Sequence, residues 1–174
     1  MNLIASAPLW VAILFGCAMA AAAIEDVARF RISNVTSLIV FVGAIGAAIV
    51  VGPSWAMWEN GAVFLVVLAV GIGAFAGGFL GGGDVKLFAA AALWFDIHSA
   101  VWFVAFVFIA GGVVAILYLA TRPFRKSARG KKGTRIPYGL PIAVGALALA
   151  LVDRGAFRHH ERSLPPINIV PHQR

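Results

Sequence analysis

The feature that most restricts this chain is a series of uninterrupted apolar runs, near residues 9–24, 35–51, 62–79, 84–95, 100–120 and 137–152. A helix needs about 20 residues to cross the hydrocarbon of a bilayer. Inside lipid, only helices and closed barrels satisfy every backbone polar group. These runs are continuous rather than alternating, which selects helices over a barrel. The expected fold class is all-α: a polytopic membrane bundle of about six transmembrane helices, with the fourth run (84–95) the shortest. Composition agrees, since 61% of the 174 residues are apolar and 12% charged, against about 45–50% and about 25% in a soluble domain. A chain of this length cannot hide so much apolar surface in one core. Soluble enzyme, disordered tail and disulfide scaffold are excluded, and the lone Cys17 leaves no intrachain disulfide or Cys-based zinc site.

No fixed-period repeat or soluble boundary is present, so residues 1–174 read as one membrane-embedded domain with a basic loop at 122–135 and a polar tail at 153–174. The first run is not expected to be a cleaved signal, because no Lys or Arg precedes it. Pro137 suits the first turn of the last span, where its missing N–H costs nothing.

The net charge of +7 does not indicate nucleic acid, because apolar runs too long for a soluble module separate the basic residues. It records orientation and contact with anionic lipid instead. The loop after the first run carries Arg29 and Arg31. The stretch 122–135 carries seven basic residues (Arg122, Arg125, Lys126, Arg129, Lys131, Lys132 and Arg135) and no acid. With six spans the two loops share one side, which the positive-inside rule makes cytoplasmic. Both termini are then outside, although Arg154, Arg158, Arg162 and Arg174 weigh slightly the other way.

Ionisable groups at membrane depth cost roughly 2.5–3.5 kcal/mol at a helix centre and so tend to mark function. Two stand out, Asp26 and Asp84. From Leu9 to Asp26 a helix rises roughly 26 Å, which puts Asp26 near the far boundary. Asp84 follows the third run and lands on the same side. Two close carboxylates do not both ionise easily, so one keeps a proton while the other stays basic. The basic one can deprotonate a water while the other donates to a scissile carbonyl. The structural alternatives are an interfacial Asp26 paired with Arg29 or Arg31, and an Asp84 held by its helix dipole. From Gly71 to Gly83, seven of thirteen residues are Gly. Gly71, Gly73, Gly77 and Gly78 fit close helix packing, whereas Gly81, Gly82 and Gly83 are expected to leave room beside Asp84 for an extended peptide.

Gly81-Gly82-Gly83-Asp84-Val85-Lys86-Leu87 resembles the Gly-x-Gly-Asp signature of membrane aspartyl proteases, in the form used by type IV prepilin peptidases. Asp26, followed by Arg29, Ile32 and Asn34, is similar to that family's first aspartate motif: Asp, basic residues, then Ile-Pro-Asn. Ile136-Pro137-Tyr138-Gly139 resembles the segment that opens its last span. The three motifs occur in order and cover essentially the whole chain.

The resemblance implies an aspartic endopeptidase, with no cofactor or metal, that cuts the basic leader from prepilins or pseudopilins at the cytoplasmic face of the bacterial inner membrane. Asp26 and Asp84 would be catalytic. Gly81, Gly82, Gly83, Lys86, Asn34, Pro137, Tyr138 and Gly139 would shape the site or bind substrate. With one Cys and no room for the methyltransferase domain of many members, the chain resembles the compact form associated with Flp (tight-adherence) pili. It departs from the family at Ser33, where Pro is usual. Glu25 also adjoins Asp26, and since adjacent helical residues point about 100° apart, only one of the two acids faces the partner; the motif favours Asp26.

Lys86 either snorkels to headgroups or tunes the acid pair. The basic loop is expected to fix topology and bind anionic lipid, with pilus-assembly proteins as further partners. Its Gly130-Lys131-Lys132-Gly133-Thr134 lacks the spacing of a phosphate-binding loop. His98, His159, His160 and His172 form no ligand set, and Asp96 and Asp153 read as helix-end acids. A rival reading is a small proton- or cation-coupled transporter using the same acids as a relay, although no pseudo-symmetric broken helices are visible. A presenilin-like protease lacks its Pro-Ala-Leu motif here, and a non-catalytic assembly subunit is the remaining alternative.

Overall fold

The computed structural model describes residues 1–125 and 138–163. Pro137, most of the basic stretch and residues 164–174 lie outside the described residues. Among the described residues seven helices follow in order: α1 (Leu3–Ser6), α2 (Leu9–Arg29), α3 (Asn34–Val51), α4 (Met57–Ala76), α5 (Gly82–Ala92), α6 (Ile97–Arg125) and α7 (Gly139–Ser163). Among the described residues there is no strand. The chain is an all-helical bundle, and α2, α3, α4 and Ile97–Leu117 of α6 are each long and apolar enough to cross a membrane. No more than 28% of any of these apolar windows is buried inside the protein, and only 11% of that in α6. Faces this apolar and this uncovered are what lipid contact requires.

Each long helix buries one stripe. In α2 it is Val11, Phe15, Met19, Ala22 and Asp26, steps of three and four that stack on one side of a helix. Glu25 falls off that stripe and Asp26 ends it. In α4 the stripe is Asn60, Val63, Val67 and Gly71. A Cβ on Gly71 would come within 2.7 Å of Val85 Cγ1, so this glycine lets α4 lie close against α5.

The short helix α5 is the hub. Its eleven residues rise about 16 Å, well short of a hydrocarbon core of about 30 Å. It is buried almost all round, through Val85, Leu87 and Ala89 to Ala92. It packs against α3, α4 and α7, while α6 lies mainly on α7. Two tight turns carry the chain on from α5 to Trp94 and Phe95. There the Trp94 indole N–H donates to Val40 O at 3.0 Å, and the Asn60 amide donates to Leu93 O at 3.0 Å and Phe95 O at 3.2 Å. Phe15 packs on Trp94 with ring centroids 4.6 Å apart.

Two regions differ from expectation. Helix α7 continues to Ser163, past the expected end of its span near residue 152, because Arg154 is anchored inward on Ile4 O (2.8 Å) and Ala7 O (3.2 Å). The short α1, which sequence patterning does not announce, supplies the Ile4 carbonyl, and its C-cap Ala7 supplies the other.

Because the helices alternate in direction, one end of the bundle gathers the C-termini of α2 and α4 with the N-termini of α3, α5 and α7. The acids singled out above are both there.

Candidate functional site

Asp26 lies in the last turn of α2 and is 3% exposed, although it ends an apolar stripe. Its Oδ2 accepts the Gly139 N–H at 2.6 Å and the Leu140 N–H at 3.2 Å. These are first-turn donors of α7, which have no partner within their own helix, so Asp26 caps a helix far away in sequence. Oδ1 accepts nothing among the described residues. Asp26 is among the residues that line the cavity at this end of the bundle.

Asp84 sits in the first turn of α5, where its Oδ2 accepts the Gly81 N–H at 3.1 Å. This helix is not one of the membrane-spanning candidates. Burial, and then the charge of Asp26, push the Asp84 carboxyl up to about 6, against the lowering effect of the Gly81 N–H. Both effects disfavour an anion.

Asp26 and Asp84 line the same open cavity of about 1040 Å³ at this end of the bundle, together with Glu25, Asn34, Gly81, Gly82, Gly83 and Tyr138. Gly139 is behind it, where a Cβ would come within 2.6 Å of Ile32 Cδ1 and 2.9 Å of Asp26 Oδ2. Lys86 is exposed outside the lining, and its Nζ donates to Asn34 Oδ1 at 2.9 Å. Pro137 lies outside the described residues.

The glycines before Asp84 divide their work differently from the expectation of open room. A Cβ on Gly81 would meet Asp84 Oδ2 at 2.7 Å, and one on Gly83 would meet Ile32 O at 3.0 Å. Only Gly82 has ordinary space, with Phe75 at 3.6 Å. Of the four glycines read as helix-packing residues, Gly71 packs so; Gly73 has nothing within 4 Å and Gly78 sits in a turn at φ +76.

Glu25 does not compete with Asp26. Its Oε2 accepts the Ser33 N–H at 3.0 Å and the Thr36 hydroxyl at 2.8 Å. Ser33 itself caps α3, its hydroxyl accepting the Val35 N–H at 3.0 Å. The turn therefore forms with Ser in place of Pro, and its φ of −67 is one that proline also adopts.

Arg29, Arg31, Phe30, Ile32, Phe75 and Phe79 also line the cavity. Sequence reasoning gave the two arginines an orienting role or a pairing with Asp26, and Arg29 a place in the motif, and gave the aromatics none, because no periodicity places loop residues. The Leu140 donor was equally invisible, being backbone. Among the described residues no three His, Cys, Asp or Glu side chains group as metal ligands would.

A family model, that of the type IV leader peptidase family, matches residues 13–116. The match takes in most of α2, the whole of α3 to α5 and most of α6, so both acids fall within it. The chain belongs to the type IV leader peptidase family. No curated protein and no solved structure matches it. Membership makes the protein a peptidase of prepilin-like substrates.

Proposed function

We propose that this leader peptidase is an aspartic endopeptidase that removes the basic leader of prepilins or pseudopilins, with Asp26 and Asp84 as its catalytic pair. The observation that carries the reading is that two carboxylates from separate helices open onto one cavity from unlike surroundings. One is fixed by two N–H donors of another helix. The other titrates near 6 and so holds or releases a proton close to physiological pH.

In the proposed reaction a water sits between the carboxylates. Asp26, ionised, takes one of its protons through Oδ1, and the hydroxide attacks the scissile carbonyl carbon. Asp84, protonated, donates to the carbonyl oxygen as it gains charge. The C–N bond then breaks, the leaving nitrogen takes the proton held by Asp26, and the new carboxyl returns a proton to Asp84. One water is consumed, and the pair ends as it began.

The site end also carries Arg29 and Arg31, and α6 ends there just before the rest of the basic stretch in the sequence. Both favour the cytoplasmic face of an inner membrane, with the basic loop against anionic lipid or pilus-assembly proteins. The substrate's apolar stem would lie in the bilayer and its leader at the boundary.

The test co-expresses a pilin precursor with wild type, Asp26→Asn or Asp84→Asn and follows leader removal by electrophoretic mobility. Processing is expected in wild type and in neither variant. Undiminished processing by either one removes that residue from the mechanism.

A further inference from the structure

Between the two acids the chain makes a turn that no role yet explains. Helix α2 ends at Phe30, which adopts the left-handed conformation (φ 52, ψ 34) while its N–H donates to Asp26 O at 2.8 Å. A bulky non-glycine residue there is costly, and such strain persists only where surrounding contacts impose it. Three residues on, Glu25 holds the Ser33 N–H. The turn is thus tied at both sides to the residues next to, or part of, the Asp26 peptide. What it presents between those ties is Ile32.

Ile32 touches both halves of the site. Its carbonyl oxygen and Cβ would lie 3.0 and 3.3 Å from a Cβ built on Gly83, the residue before Asp84. Its Cδ1 would lie 2.6 Å from a Cβ built on Gly139, whose N–H holds Asp26. Both neighbours are glycines against which Ile32 packs at backbone distance. A β-branched side chain is stiff at χ1, and the close approach of Gly139 to Cδ1 limits χ2, so the side chain keeps a nearly constant reach.

We propose that Ile32 is a positioning residue: a spacer wedged between the first turns of α5 and α7 that sets the separation of the Asp26 and Asp84 carboxylates. The inference rests on the aspartic reading above. With Ile32 in place the gap accepts a water and a peptide carbonyl. Without its outer carbons the two helix ends lose their common stop, and the carboxylates take a spacing unsuited to sharing one proton.

The test compares wild type, Ile32→Val (which removes only Cδ1, the Gly139 contact) and Ile32→Ala, each as the full chain in detergent micelles. Infrared difference spectroscopy follows the Asp84 carboxyl, assigned by Asp84→Asn, through a pH titration; cleavage of a precursor peptide gives kcat and KM. The expected result is a displaced titration midpoint in Ile32→Ala, a smaller displacement in Ile32→Val, and kcat lowered on the order of tenfold in Ile32→Ala with KM preserved. An unmoved midpoint in both folded variants, or a raised KM with kcat preserved, overturns the spacer role. A displaced midpoint in the variants, beside a wild type that cleaves no precursor, upholds the spacer and sinks the aspartic reading alone.

Discussion

The two ends of the bundle use similar residues to opposite effect. At the end away from the cavity, Asn2 donates to Ser99 Oγ at 2.9 Å and to Asp153, and Arg154 holds two carbonyls of the α1 region. Asn60 holds two more, after α5. Below them Trp94, Phe95, Phe15 and Phe103 are all fully buried. That end is shut: its polar groups face one another over an aromatic floor. At the cavity end the acids accept backbone N–H groups and keep an oxygen in reach of open space, while Arg29 and Arg31 make no ion pair among the described residues. Polar groups satisfied by side chains of neighbouring elements close a bundle. Polar groups half satisfied by helix ends hold one open, ready for a ligand to complete them.

The sharpest way to break that contrast is to neutralise an acid at each end. Asp84→Asn is expected to abolish cleavage, by on the order of 10³-fold or more. It should also raise stability at alkaline pH. A carboxyl titrating at about 6 rather than its ordinary 3.8 contributes stability below pH 3.8 that is lost as pH rises through 6. The variant should therefore out-melt wild type above pH 6 and match it below 3.8. Thermal melts in micelles at both extremes check this, and a lower melting temperature at pH 8 would contradict it. Asp153→Asn, at the shut end, should leave cleavage intact.

Next in size is Gly139→Ala. The added carbon meets Ile32 Cδ1 and Asp26 Oδ2, so we expect about 1–3 kcal/mol of destabilisation from overpacking and a loss of kcat that urea titration and precursor cleavage would separate. Arg154→Ala at the shut end should cost a comparable 1–3 kcal/mol or so by stranding two carbonyls, with kcat unchanged. A fall in kcat there would mean the two ends are coupled. For wild type, cleavage should decline as pH rises above about 6, where Asp84 loses the proton it must donate; a rate still climbing at pH 8 would reassign the acid. Smallest of all, Glu25→Gln keeps an acceptor for Ser33 and Thr36 and should change kcat little, whereas Glu25→Ala frees the turn and should resemble a mild Ile32 variant.

Much of this was legible before any coordinates. Lipid leaves few options for a backbone, so six apolar runs are enough to predict a helical bundle. The motif favoured Asp26 over Glu25, and the structure agrees by placing Asp26 at the end of the buried stripe from Val11. The glycines were harder to read, because the same residue serves open room, a cap or a close crossing. Only the partner decides, as Asp84 does for Gly81 and Ile32 for Gly83. Ile32 and Leu140 carry no sequence signature of their roles. One acts by the reach of its side chain across two helix ends and the other through a main-chain N–H. Helix α5 was expected to be short, but its central place follows from the alanines at 89–92, whose small side chains let three neighbours close around it.

The capping of α7 by Asp26 has a stereochemical consequence. Both donors occupy one oxygen of that carboxylate, so in the proposed reaction a proton taken from water goes to the other. The lone pair that would meet the water is thereby chosen by the start of a distant helix.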